Sequence, residues 1–234
     1  MIRLDKFLCE AGAGTRSEVK TMIKRGRVSV DGVTARSADL KIEEGKSEVC
    51  LDNALLSRIG TVYYMVHKPA GVVTATKDTR EKTVLDLMRG APGKDLFPVG
   101  RLDKDTEGLL LVTNDGALAH RLLSPKKHVD KTYYVLTRDV VTKKMCRLLE
   151  QGVDIGDEKP TLPAVARKLA DCEKGLLLTI QEGRFHQVKR MLAAVDNEVV
   201  YLKRVSMGPL RLEDSLEKGM WRPLTEKEKK DLGV

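Results

Sequence analysis

The chain has 234 residues, with 42 Lys+Arg against 34 Asp+Glu for a formal net charge of +8, and 4% aromatic residues. That length accommodates one large domain and a small one. The basic balance leans toward a polyanion, with nucleic acid the first candidate, while the sparse aromatics exclude an extended base-stacking platform. Cys9, Cys50, Cys146 and Cys172 are scattered, without a Cys-x-x-Cys pair or a His at zinc spacing. They predict reduced, mostly buried thiols in a cytoplasmic protein. No signal peptide opens the sequence and no apolar run reaches membrane-spanning length, so no membrane partner is expected.

Residues 1–58 read as a small separate unit. Leu4, Phe7 and Leu8 give a short first helix one apolar face, ended by Gly12-Ala13-Gly14. Thr15-Arg16-Ser17-Glu18 is a capping-box pattern opening a second helix, with Val19, Met22 and Ile23 facing the core. Lys20, Lys24 and Arg25 lie largely on its other side, with Arg16 before it and Arg27 after the terminating Gly26. Such a basic cluster on paired helices suits phosphate contacts, although a solvated amphipathic helix looks the same. Val28–Val30, Asp31-Gly32 and Val33–Ala35 form a hairpin with a two-residue turn, and Ser47–Leu51 adds a strand. The polar stretch 53–60 is the expected linker. Gly45-Lys46-Ser47 imitates the end of a phosphate loop, but Leu40 stands where its first glycine belongs, so no nucleotide site is expected.

Residues 59–234 form the larger unit. A strand at Tyr63–His67 enters the sharp Lys68-Pro69-Ala70-Gly71 loop, Val72–Thr74 is extended, and Thr83–Arg89 is a short helix. Then comes Gly100-Arg101-Leu102-Asp103-Lys104-Asp105-Thr106-Glu107-Gly108, followed by the apolar strand Leu109–Val112. Acids at alternate positions suggest a calcium loop, but its twelfth residue is Asn114 where a bidentate Glu is required. A second reading makes Asp103, Asp105 and Glu107 the ligands of a metal-dependent nuclease. The third is a single working carboxylate, Asp103, on a loop beside Arg101. Asn114-Asp115-Gly116 turns the chain into a helix at Ala117–Leu123, and basic residues 126–131 approach a strand at Thr132–Leu136. Alternation puts Tyr133 and Tyr134 on opposite faces, so one can serve a cleft and the other, Tyr134, the core. An amphipathic helix at Thr142–Gln151, a strand at Leu176–Ile180, a helix carrying Val188, Met191, Leu192 and Val195, a strand at Val199–Val205 and a capped final helix complete the chain. Strands and helices alternate without βαβ regularity, which predicts an α+β fold.

Gly100-Arg101-Leu102-Asp103 with Thr106, Gly108 and Leu109 closely resembles the active-site signature of the RsuA-type pseudouridine synthases. Residues 3–32 resemble an S4 RNA-binding domain. The resemblance implies a small S4-like unit followed by a mixed, largely antiparallel-sheet catalytic domain. It implies that Asp103 is catalytic, that Arg101 fills the space left by an extruded base, and that Tyr133, in Lys131-Thr132-Tyr133, packs on that base. In Gly183-Arg184-Phe185-His186-Gln187-Val188-Lys189-Arg190 it implies a basic partner for Asp103. By position that is Lys189, where many relatives carry Arg, with Arg190 as the fallback, and Lys lacks the two-pronged Arg geometry. His186 is expected to be a structural hydrogen-bonder. Arg16, Lys20, Lys24, Arg25 and Arg27 would face RNA. The implied activity is isomerisation of uridine to pseudouridine in ribosomal RNA or an assembly intermediate, by a monomer, without cofactor or metal. Small-subunit (16S) rRNA is the first target, large-subunit (23S) rRNA the alternative. A non-catalytic S4-type RNA-binding or ribosome-assembly factor is the rival from another class.

Overall fold

The computed structural model describes residues 1–43, 46–56, 60–124 and 127–234. They fall into two compact units: Met1–Val62 with Pro92–Asp95, and Tyr63–Ala91 with Leu96–Val234. Gly45, residues 57–59 of the expected linker and Lys126 of the expected basic approach lie outside the described residues.

In the first unit, β1 (Ile2–Arg3) pairs antiparallel with β4 (Lys41–Ile42) beside α1 (Leu4–Glu10) and α2 (Arg16–Lys24). The capping box at α2 is closed, with Thr15 N–H donating to Glu18 Oε2 at 2.7 Å and Glu18 N–H donating to Thr15 Oγ1 at 3.4 Å. A second sheet runs β3 (Val33–Thr34), β2 (Val28–Val30), β5 (Val49–Leu51), β6 (Ala54–Leu56). Asp31 and Gly32 both have positive φ, 51° and 79°, as a two-residue hairpin turn of the primed type requires. Leu4, Leu8, Val19, Ile23, Val28 and Val49 are buried together. The polar stretch read as linker is thus partly sheet, because Ala54–Leu56 pairs with Val49–Leu51.

The second unit is built on a nine-stranded sheet whose main path is β11 (Val165–Lys168), β12 (Gly175–Ile180), β10 (Lys131–Thr137), β13 (Val199–Met207), β9 (Glu107–Thr113), β7 (Tyr63–Lys68), β15 (Trp221–Pro223). Two short strands, β8 (Phe97–Pro98) and β14 (Leu210–Arg211), flank β9 and β13. Four helices accompany it among the described residues: α3 (Gly116–Leu123), α4 (Lys143–Gln151), α5 (Gln187–Ala193) and α6 (Glu226–Leu232). Every other strand pair is antiparallel, but β13 and β9 meet in parallel, through Lys203↔Glu107 and Arg204↔Gly108. The sheet is therefore two antiparallel halves joined at one parallel seam. Gly108 makes the seam fit, because a Cβ there would stand 2.2 Å from Arg204 O, and its φ is +109°. β9 is buried along its whole length, as a central strand covered on both faces should be.

The expected helix at Thr83–Arg89 is only a 3₁₀ turn at Leu85–Met88, started by Thr83 and Asp86 bonding reciprocally. The four cysteines are free, but only Cys146 is buried. No helix among the described residues is long and apolar enough to cross a membrane.

Candidate active site

The loop between Val99 and Glu107 leads into β9 at the seam, and its shape is fixed by buried partners. Lys68, at the end of β7, is fully buried, and its ammonium donates to the carbonyls of Pro69 (3.1 Å), Asp103 (2.9 Å), Lys104 (3.3 Å) and Thr106 (2.8 Å). Burial pushes its pKa down to about 8, against the pull of Asp105, Asp103 and Glu107. Thr74 clamps the other side: its hydroxyl donates to Leu102 O at 2.7 Å and accepts from Leu102 N–H at 3.1 Å. Held on both sides, the backbone presents the half-buried carboxylate of Asp103 outward.

Lys189, in the first turn of α5, reaches that carboxylate at 3.3 Å from Oδ2 and also grips Asp105 at 2.6 and 2.8 Å. The hydrogen bond from Lys189 holds the Asp105 carboxyl below the usual range. His186 Nε2 stands 3.6 Å from Asp103 Oδ1. His186 is left-handed (φ 47°), and its ring stacks on the exposed Phe185 with centroids 3.8 Å apart. Lys189 therefore bridges two carboxylates, which substitutes for the forked contact an arginine would make with one.

Arg190 is not brought to Asp103. Its Nε donates to Ile155 O at 3.0 Å and its Nη2 ion-pairs with Asp157 at 2.5 Å. Arg184 is likewise engaged, with Glu182 (2.6 Å) and the carbonyls of Lys159 and Pro160 (2.6 and 2.9 Å). Successive helical residues point about 100° apart, so Lys189 meets the 103–105 loop while Arg190 braces the 155–160 loop. Arg190 is thus a structural brace, a correction of its expected role as fallback partner.

In front of Asp103 lies a cavity of about 560 Å³, within the ~300–1,000 Å³ common for small-ligand sites. Arg101, Asp103, Lys131, Tyr133, His186 and Arg204 contribute to its lining. Tyr133 is buried, opposite Arg204 across the β10–β13 pair. Tyr134 points to the other face, where it is half-buried rather than core and meets Tyr201 edge-on at 6.1 Å. Arg101 is exposed at the rim. Glu107 points elsewhere: its carboxylate accepts from Tyr201 Oη at 2.6 Å and pairs with Lys218 at 2.8 Å. Glu107 is therefore not gathered with Asp103 and Asp105, which share the Lys189 ammonium, and no cluster of metal-ligating side chains occurs among the described residues. The nuclease reading has lost its ligand set.

Three buried cations escape sequence reasoning. Lys131, expected in a basic surface approach, is buried, with Nζ donating to Val129 O at 3.0 Å. Arg204 carries no signal inside its strand except its period-two spacing from the buried Leu202, which places it on the inward face. Lys68 is legible only as the start of a sharp loop. Arg16, Lys20 and Lys24 on α2 and Arg25 at its C-terminal cap are exposed, whereas Arg27 is tied to Asp52 by a two-pronged ion pair.

The sequence model of the RNA pseudouridylate synthase family matches residues 62–194, and that of the S4 domain matches residues 2–47. An uncharacterized RNA pseudouridine synthase of Bacillus subtilis is 47% identical over 230 residues, covering 97% of this chain and 96% of the relative. A ribosomal small subunit pseudouridine synthase A of Vibrio cholerae is 42% identical over 228 residues, covering 97% of each chain. A crystal structure of a pseudouridylate synthase superposes with a TM-score of 0.69 at 38% identity, covering 99% of this chain and all of that one.

Proposed function

This chain belongs to the RNA pseudouridylate synthase family, and on that premise we propose that it isomerises a uridine of small-subunit (16S) ribosomal RNA to pseudouridine at Asp103. The observation that carries the site is that Asp103 and Tyr133 line one cavity while Lys189, from a third distant stretch of sequence, reaches the Asp103 carboxylate at 3.3 Å. The choice of 16S rRNA rests on relatives named for the small subunit. In this reading the chain works as a cytoplasmic monomer on rRNA or an assembly intermediate. Residues 1–58 supply RNA affinity through Arg16, Lys20, Lys24 and Arg25, and residues 59–234 supply the chemistry.

A uridine inside folded RNA must be extruded, at a cost of a few kcal/mol. In this reading Arg101, exposed at the cavity rim, fills the gap left in the RNA, and the Tyr133 ring holds the extruded base. Asp103 then either attacks the nucleotide or takes a proton from the sugar, after which the detached uracil turns and rejoins through C5. Lys189 keeps a positive charge beside Asp103, while Asp105 positions Lys189 and makes no bond to substrate.

The test is tritium release from rRNA carrying 5-tritiated uridine, since C5 sheds its hydrogen when it becomes the glycosidic carbon. Asp103→Asn should lose turnover, by about 10³-fold or more for a residue that makes or breaks bonds, with folding and RNA affinity near wild type. Asp105→Asn should be milder. Substantial release by a folded Asp103→Asn protein sinks the assignment. Absence of pseudouridine from 16S rRNA of a deletion strain supports the target, and a loss confined to 23S rRNA moves it. Wild-type protein that forms no pseudouridine on any rRNA fragment or particle returns the chain to the assembly-factor reading.

A further inference from the structure

Two cations at the back of the cavity are not accounted for by the roles given to Asp103, Tyr133 and Lys189. Arg204 is 1% exposed. Its Nε donates to Leu109 O at 2.8 Å, and its Nη2 is buried without a hydrogen-bond partner. Among the described residues no carboxylate pairs with it. Lys131 is 8% exposed, and burial, with the nearby charge of Arg204 adding to it, pulls its pKa down. The carboxylate that acts on Lys131, Asp130, is itself exposed and accepts from Gln181 at 2.9 Å. An unpaired buried cation costs several kcal/mol, and two side by side repel. Such an arrangement is retained where a bound group completes it, and both side chains line the cavity that holds Tyr133 and Asp103.

We propose that Arg204 and Lys131 form a cationic floor that binds the carbonyl oxygens of the target uracil and carries the negative charge of the ring while it is detached from the sugar. The proposal rests on the pseudouridine reading and assigns that reaction its leaving-group site. When the C1′–N1 bond breaks, its electron pair stays with the ring, giving a uracil monoanion whose charge is spread over N1, O2 and O4. The deficit at C1′ is met by the Asp103 carboxylate or by loss of a sugar proton to it. On rejoining, C5 supplies the electron pair to C1′ as the Asp103–C1′ bond breaks or as Asp103 returns the sugar proton, then the C5 proton leaves and N1 takes one up, so the product is an isomer with no net change in charge. The charge exists only between the two bonds, and preorganised donors in a site shielded from water stabilise such transient charge most effectively. The same cations would also keep the free ring from escaping while it turns.

The experiment compares wild type, Arg204→Met, Arg204→Lys and Lys131→Met in single-turnover reactions on 16S transcripts made with uridine or with 5-fluorouridine. Cleavage of the original glycosidic bond is followed by nuclease digestion and chromatography. Fluorine withdraws electrons and stabilises the ring anion, so a substrate bearing it needs less help from the floor. Arg204→Met should slow the uridine reaction by about 10²-fold or more, and the 5-fluorouridine reaction by roughly tenfold less than that, with RNA affinity near wild type. Lys131→Met should show the same bias to a smaller degree, and Arg204→Lys should recover part of the rate. A merely structural Arg204 would slow both substrates equally, and that result, or an unchanged uridine rate, overturns the proposal. Should Arg204→Met fail to fold by circular dichroism, Lys131→Met decides between the same two outcomes. Inactivity of wild type on both transcripts, free and assembled into particles, would instead remove the underlying reaction, and the floor with it.

Discussion

The tetrapeptide Arg-Leu-Asp-Lys occurs twice, at residues 3–6 and 101–104. In the first copy the chain enters α1, and Arg3 folds back on its own Asp5 through two hydrogen bonds of 3.1 and 2.8 Å. In the second copy the backbone is an open loop, Arg101 is exposed at a cavity rim, and Asp103 is faced by Lys189 from another helix. The difference lies in what meets the backbone. Leu4 and Asp5 donate their amides to Leu40 O and Ala38 O, which anchors the start of a helix. Leu102 and Asp103 meet the hydroxyl of Thr74 and the ammonium of Lys68, which take hydrogen bonds a helix would have used internally. Four identical residues thus become a helix start or a working loop according to the groups brought up from elsewhere.

Lys68 is the group whose removal should blur that contrast most. Lys68→Met keeps the buried methylenes but removes the ammonium from the carbonyls of Asp103, Lys104 and Thr106, of which Asp103 and Lys104 keep only the backbone N–H of Thr106 and Gly71. Loss of hydrogen bonds to a buried charge costs about 3 kcal/mol, so a large drop in the urea midpoint is expected. Turnover should fall further than stability alone explains, because Asp103 loses its aim, while RNA affinity stays near wild type. A protein of unchanged melting and unchanged turnover would show that the loop holds its own shape. The ammonium also has a pH signature. Its folded pKa of about 8 lies below the ordinary lysine value of 10.5, so the unfolded chain binds the proton more tightly. The stability of wild type relative to Lys68→Met should therefore rise between pH 8 and 10.5, and a gap that is flat or falls over that window contradicts the burial of a charged lysine.

The exposed charges of α2 should behave in the opposite manner. Replacing Lys20, Lys24 and Arg25 by Ala should leave stability and single-turnover chemistry at saturating RNA unchanged. The slope of log affinity against log salt should become shallower, by about 0.7–0.9 for each RNA phosphate that is no longer neutralised. Arg27→Ala should change the slope less, because Asp52 already neutralises that guanidinium. An unaltered slope in the triple variant would remove α2 from the RNA interface.

The contrast between these cations also explains what was legible in the sequence. Ordered motifs and strong periodicity identified the α+β class, the two sides of α2 and the strand at Leu109–Val112, since each depends on neighbours along the chain. Lys68, Lys131 and Arg204 were illegible because a buried cation is defined by carbonyls and cavities supplied from remote segments. Arg190 stayed open as a partner beside Lys189 for the same reason, since nothing in the sequence showed that Asp157 lies beside α5. The parallel seam was hidden as well. It is two residue pairs long, and the only local trace it leaves is Gly108 at positive φ.

The smallest effect belongs to the first copy of the tetrapeptide. Asp5 is buried, and its carboxyl is held below the usual range chiefly by the hydrogen bond from Arg3. A carboxylate whose folded pKa is depressed stabilises fully above its unfolded pKa, near 3.9, and loses that contribution as pH falls through the folded value. Asp5→Asn should therefore cost about 1 kcal/mol at pH 7, a gap that persists to about pH 5 and closes progressively in stronger acid. Urea unfolding at pH 7, 5 and 2.5 measures it. Tritium release should be unaffected throughout, because Asp5 shares its sequence with Asp103 but none of its partners. A gap of equal size at pH 2.5 would mean that Asp5 contributes through packing rather than charge. Loss of turnover in a folded, RNA-binding Asp5→Asn protein would break the comparison itself, by giving the two copies a common role.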